Sequence, residues 1–189
     1  MNRSLVKLAL GCAALALGAI AQADTTNRPP GKAFSAYSGF ELLPITLDEA
    51  DARDKGRVEA AAKVQEHFNE IIGPIVADWN SRKPAAEGAP HLVIEPRIDT
   101  IRKVSLGSRV FFGPYGGNSF VVMHLRFFEQ PGNTLFAEPE FYQHTAALSG
   151  SFTNGGQDKD MLRRIAVVVA DYLKANFDNA IGGRTGRDE

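Results

Sequence analysis

The sequence predicts an α+β domain, a mainly antiparallel sheet of about four strands with two amphipathic helices packed on one face. Apolar residues recur at three- and four-residue intervals from Val58 to Trp79 and again from Met161 to Phe177, the period of a helix with one buried stripe. Between them, His91 to Asp99 and Phe120 to Phe128 alternate with period two, as strands do. The strands follow one another through short turn sequences, which suit antiparallel neighbours rather than parallel ones.

The N-terminal residues predict export. Met1 to Lys7 carries two cations and no carboxylate, and Leu8 to Ile20 contains only Leu, Ala, Gly, Cys and Ile. That run suits a signal peptide but falls short of the ~20 apolar residues of a membrane span. Ala21-Gln22-Ala23 supplies the small-x-small pattern of a signal peptidase site, so residues 1–23 read as a signal and Asp24 as the new N-terminus. A competing expectation is lipidation of Cys12. Against the lipobox pattern, Ala9 and Leu10 stand where Leu and a small residue are favoured, and cleavage there leaves only Leu8 to Gly11 as apolar signal.

Loss of the signal removes the sole cysteine, and with it any disulfide, thiolate nucleophile or zinc–thiolate site. It also removes Arg3 and Lys7, taking the formal net charge from −1 to −3. A mildly acidic domain without a basic cluster is not built for nucleic acid, which requires several Lys or Arg on one face. The remaining length fits one domain over residues 33–181, with a flexible leader at 24–32 and a disordered tail at 182–189.

Within that domain, Ala33 to Ile45 reads as an extended segment that lays Phe34, Tyr37 and Phe40 onto the core. Thr46 and Glu49 form a capping box, which predicts that the first helix starts there. Gly73-Pro74 predicts a kink or a split near Ile72. Asn80 to Pro90 reads as a loop. Pro96 lacks a donor, which places the strand from His91 at an edge or at a bulge. Phe120 to Phe128 is apolar at most positions on both faces and is expected to be central. Gln130 to Asn133 reads as a turn, Thr134 to Thr145 as the returning strand with an irregularity at Pro139, and Ser149 to Gln157 as a loop before a helix that starts at Asp158.

The side chains show no catalytic constellation, and no cofactor or metal ligand set is expected. His67 lies between Glu66 and Glu70 with no second histidine at helical spacing. Counting register about Pro131-Gly132 places His124 near Pro139 rather than His144. No G-x-S-x-G elbow occurs, and Gly113 to Ser119 lacks the Lys and Ser/Thr of a phosphate loop. Its glycines suit a wide loop, on which Arg109, Phe111, Phe112, Tyr115 and Ser119 form a candidate contact patch.

The stretch Arg109-Val-Phe-Phe-Gly113-Pro-Tyr-Gly116-Gly117-Asn-Ser119, the strand after it, the turn at Gln130-Pro131-Gly132-Asn133, the returning strand and the helix around Ile165, Ala170 and Leu173 resemble a family of bacterial lipoproteins and secreted envelope domains of unknown function. The resemblance covers roughly residues 89–177. It implies a fold similar to the helix-and-sheet domains of the curli-secretion lipoprotein and of accessory lipoproteins of cell-wall synthases, and it transfers no catalytic residue. The sequence thus leads to a periplasmic or secreted, non-enzymatic binding or accessory module, whose partner is an envelope protein or another envelope component. A periplasmic hydrolase or metal enzyme using His124, His91 and nearby carboxylates is the alternative, and an outer-membrane accessory lipoprotein anchored through Cys12 is a third.

Overall fold

A computed structural model describes residues 24–82, 90–102, 118–145 and 156–187. In chain order these form β1 (Thr26–Asn27), β2 (Gly39–Leu42), β3 (Thr46–Leu47), α1 (Lys55–Arg82), β4 (His91–Arg102), β5 (Phe120–Gln130), β6 (Thr134–Ala137), β7 (Glu140–His144), α2 (Gly156–Asp178) and β8 (Gly183–Arg184), with 3-10 turns at Phe34–Ala36 and Asp51–Arg53.

The alternation seen in the sequence divides β4 and β5 into two faces. Leu92, Ile94, Ile98, Val121, Met123, Leu125 and Phe127 are fully buried, while the residues between them are half-buried. On the buried side, α1 supplies Val64, Phe68, Ile72, Val76 and Trp79, and α2 supplies Ile165, Val169, Tyr172 and Leu173. The helices meet where Trp79 stacks on Phe177 at 4.6 Å between ring centroids. Phe34 stacks on Phe127 at 5.0 Å, so the segment before β2 carries its aromatics into the core as expected.

The sheet is larger and less uniform than predicted. Six strands form it, in the order β2-β4-β5-β6, with β3 also on β4 and β7 also on β5, and a separate ladder joins β1 to β8. β4, β5, β6 and β7 pair antiparallel, but β2 and β3 run parallel to β4. The parallel pairs arise because the aromatic segment precedes α1, which then serves as the crossover that parallel strands need.

Several local expectations are corrected. Thr46 and Glu49 do not cap a helix: Thr46 lies in β3, and α1 begins at Lys55. Pro74 does not split α1, which runs unbroken past it. Pro74 and Glu70 are both exposed, so the carbonyl released by the missing donor faces solvent rather than the core. Pro96 is not on an edge, because β4 lies between β2/β3 and β5. Its missing donor falls where the partner changes: Ile94 pairs with Leu42 of β2 and Arg97 with Thr46 of β3. The irregularity at Pro139 is present as the break between β6 and β7.

The two chain ends differ most from expectation. Residues of the expected flexible leader form β1, and residues of the expected disordered tail form β8, paired as Thr26 with Arg184 and Asn27 with Gly183. Thr185 N–H donates to the Thr25 carbonyl at 2.8 Å, and Thr185 O accepts from Tyr142 N–H of β7 at 2.8 Å. The close approach depends on Gly182, at φ 79°, where a Cβ would lie 2.3 Å from the Asn27 carbonyl oxygen. The signal segment, including Cys12, Ala21 and Ala23, lies outside the described residues, as do residues 188–189.

Candidate functional site: the uncovered sheet face

Both helices pack on one side of the sheet, and no described element covers the other. The alternate positions that point away from the helices are Glu95, Arg97 and Asp99 on β4, His124 and Arg126 on β5, and Glu140 on β7. Register sets them side by side: Glu95 opposes Arg126, Arg97 opposes His124, and His124 opposes Glu140. A register shift between Ile98 and Thr100 brings Asp99 in beside His124.

The result is a ladder of ionisable groups across the strands. Arg97 donates from Nη2 to Asp48 at 3.1 Å and lies 3.3 Å through Nε from Asp99. Asp99 contacts His124 Nδ1, His124 Nε2 lies 3.9 Å from Glu140, and Glu140 receives Arg187 Nε at 3.1 Å. A second row runs from Glu95 to Arg126 at 2.8 Å and on to Glu138 at 3.5 Å. Two of the three arginines rest on aromatic rings, Arg126 over Phe128 at 4.8 Å and Arg187 over Tyr142 at 4.7 Å, which limits their rotamers.

Counting these side chains gives five carboxylates against three guanidiniums, so two negative charges are in excess when His124 is neutral. At one margin Thr46, Asp48, Glu49, Arg53, Glu95 and Arg97 line a recess of about 590 Å³, in which three carboxylates stand against two guanidiniums. Pairs of this kind, half-buried but facing solvent, contribute on the order of 1 kcal/mol or less each to stability. The ladder is therefore better suited to presenting charge than to holding the sheet together.

Its chemistry is not that of a metal centre. The carboxylates of Asp99 and Glu140 face opposite ring nitrogens of His124, so one ion has no way to take all three ligands. Among the described residues, no three His, Cys, Asp or Glu side chains converge on a cation position. His91, grouped with His124 in the enzyme alternative, pairs with Gln130, six residues along β4 from the Arg97 that opposes His124, about 20 Å away at strand spacing. His144 pairs with Phe120, so the histidines of β5 and β7 are separate, as register counting indicates. His67 lies on α1, 3.4 Å from Glu70, away from the ladder.

Of the expected contact patch, Arg109, Phe111, Phe112 and Tyr115 lie outside the described residues. Ser119 is fully buried at the start of β5, and its carbonyl accepts from Thr145 N–H at 2.9 Å, so it supports the β5–β7 ladder and is not a surface contact. Asp24 is exposed, and its carbonyl accepts from the Thr185 hydroxyl at 3.2 Å. Of the ladder residues, the sequence singles out His124 alone by name, in the enzyme alternative. The alternation of Glu95, Arg97 and Asp99 is visible there, whereas Glu140 joins the ladder through the pairing of β7 with β5, and Arg187 joins it because the C-terminal segment folds against β7.

No family model matches the chain, and no curated protein matches it. Among solved structures it is similar to the PelC dodecamer from Paraburkholderia phytofirmans, at a TM-score of 0.38 and 10% identity over 74% of this chain and 91% of that one. It is similar also to the hypothetical protein CT253 from Chlamydia trachomatis, at 0.38 and 12% identity over 74% of this chain and 99% of that one. Both are distant likenesses of fold.

Proposed function

We propose that the chain is an exported, non-catalytic binding module of the cell envelope, and that its uncovered sheet face receives a partner protein surface rich in Lys or Arg. The observation that carries the proposal is the carboxylate excess of the sheet face, five against three guanidiniums in the ladder and three against two in the recess between β3 and β4. A cationic side chain entering that recess meets Asp48, Glu49 and Glu95, and its guanidinium or ammonium gains charge-assisted hydrogen bonds there. Export is supported by the signal-like Met1 to Ala23 segment, and the non-catalytic reading by side chains that pair with one another without presenting a nucleophile.

The test is titration of the purified protein with a labelled octalysine peptide, followed by fluorescence anisotropy, with octaglutamate as control. Octalysine is expected to bind, to weaken at least fivefold between 0.05 and 0.3 M salt, and to weaken by a similar factor in the Asp48→Asn/Glu95→Gln variant. Equal binding of both peptides, or octalysine binding untouched by that variant, removes the sheet face from the proposal.

A further inference from the structure

Apolar rows bound the charge ladder at both ends, on the same side of the sheet. One row beyond His124, Val122 of β5 opposes Tyr142 of β7. One row beyond Arg126 in the other direction, Val93, Phe128 and Leu135 stand side by side across β4, β5 and β6. All five point away from the helices; four are half-buried and Leu135 is 42% exposed. Along β5 the order is therefore apolar, charged, charged, apolar. Val122 lies six residues from Phe128, about 20 Å at strand spacing. A single exposed leucine is ordinary, but apolar rows paired across strands at both ends of a ladder form a patterned surface, and a partner that brought only cations would leave them uncovered.

The pattern restricts what can lie there. A second copy of the chain would set one excess of two negative charges against another and bury both, which is unfavourable. Strand addition is blocked at the β2 and β7 margins. Asn80 holds Phe40 N–H and carbonyl, Asn27 holds the same groups of Glu140, and the Thr185 carbonyl takes Tyr142 N–H. A chain resting on the face must then satisfy its own backbone, which a helix does and an extended segment does not. From β4 across β5 to β7 is two strand spacings, about 10 Å, the width of one helix.

We propose that the basic partner docks as a single amphipathic α-helix laid along β5, its Lys or Arg side chains over the ladder and an apolar side chain at each end on the Val122–Tyr142 and Val93–Phe128–Leu135 rows. This rests on the reading of the sheet face as the docking surface for a basic partner and adds the form of that partner. The 20 Å between the rows corresponds to about fourteen helical residues at 1.5 Å each, and residues fourteen apart return to the same face of a helix. Positions four, seven and eleven residues after the first apolar one share that face and fall over the carboxylates of Asp99, Glu140, Glu95 and Glu138.

Helical peptides test it by fluorescence anisotropy with the purified protein. The first is an Ala/Gln-based helix with two leucines fourteen residues apart and lysines four, seven and eleven residues after the first leucine. It is expected to bind at least fivefold more tightly than each of three controls: both leucines replaced by glutamine, both leucines shifted two residues to the opposite face, and a central proline that breaks the helix. In the protein, Val122→Thr/Leu135→Thr keeps side chains that suit strands; it should abolish the preference for the leucine peptide over the glutamine peptide and leave octalysine binding unchanged. Octalysine binding with no leucine preference, or a leucine preference that survives the proline or the double variant, overturns the helix while the basic docking stands. Failure of octalysine to bind the intact protein overturns both. A dimer of the protein alone in sedimentation velocity, dissociated by the double variant, assigns the rows to a second copy and also overturns the proposal.

Discussion

Tyr37 shows how one side chain serves packing and polarity together. Its ring is 1% exposed and packs 5.7 Å from Phe136, while its hydroxyl donates to Glu129 at 3.0 Å, and Lys32 meets the same carboxylate at 2.7 Å. Burial and then the Glu129 carboxylate push the Tyr37 phenol well above its usual 10.0, and burial alone raises Tyr172 to about 12. Hydrogen bonds from Lys32 and then Tyr37 hold Glu129 below the ordinary carboxylate range. The linkage signs follow. A phenol raised in the folded state contributes stability that is complete below pH 10 and is lost as pH climbs toward the folded value, because the unfolded chain releases its proton first. Unfolding free energy should therefore fall between pH 10 and 12, by ~1.4 kcal/mol per pH unit for each such tyrosine. Glu129 acts in the other direction, its contribution present above about pH 4.5 and lost on acidification. Urea denaturation at pH 8, 10 and 11 checks the alkaline limb, which should be shallower in Tyr37→Phe.

Among the elements, the short edge strand β2 depends on a side chain standing in for a neighbouring strand. Asn80, on α1, accepts from Phe40 N–H through Oδ1 at 2.8 Å and donates through Nδ2 to the Phe40 carbonyl at 2.8 Å, the two groups a further strand would have taken. Asn27 repeats the device on β7, with 2.9 and 2.7 Å bonds to Glu140 N–H and carbonyl. Asn80→Ala leaves both Phe40 groups without their partner and should cost about 2 kcal/mol in urea denaturation. Asn80→Asp retains the acceptor but turns a carboxylate toward the Phe40 carbonyl, and should be no better than the alanine. These contacts explain which parts of the architecture were legible in the sequence. The helical stripes and the alternation of β4 and β5 are local periodicities written by burial, so both helices and both long strands could be read. β2 and β3 are four and two residues long and are held by contacts forty or more residues distant, so no local pattern reveals them. Thr46 satisfies the local rule for a helix cap yet serves as a strand residue paired with Arg97, because tertiary pairing outweighs capping at that position. The charge ladder was half visible for the same reason: Glu95, Arg97 and Asp99 share one strand, while the carboxylate and guanidinium beyond His124 come from β7 and the tail.

For the molecule as a whole, the segment that follows the expected cleavage site is part of the fold. Asp24, Thr25 and Asn27 contact Thr185 and Glu140 through the Thr185 hydroxyl and N–H and the Asn27 amide, and Thr185 in turn covers Tyr142 on the outer edge of β7. Removal between Ala23 and Asp24 would leave every one of these contacts intact, whereas a cut a few residues later would strip β1 from β8 and leave Glu140 N–H and carbonyl unpaired. If the chain is exported as proposed, N-terminal mass spectrometry of the mature protein should find Asp24 first. A variant lacking residues 24–29 should lose about 2–4 kcal/mol, from two side-chain hydrogen bonds at Glu140 and the small β1–β8 ladder. Its β7 edge, no longer covered at Glu140, becomes a template for another chain, so the variant should also elute at a larger apparent mass than the intact protein in size-exclusion chromatography. Unchanged stability and unchanged elution would show that the terminal strands decorate the fold and that the edge of β7 is protected by Thr185 to Arg187 alone.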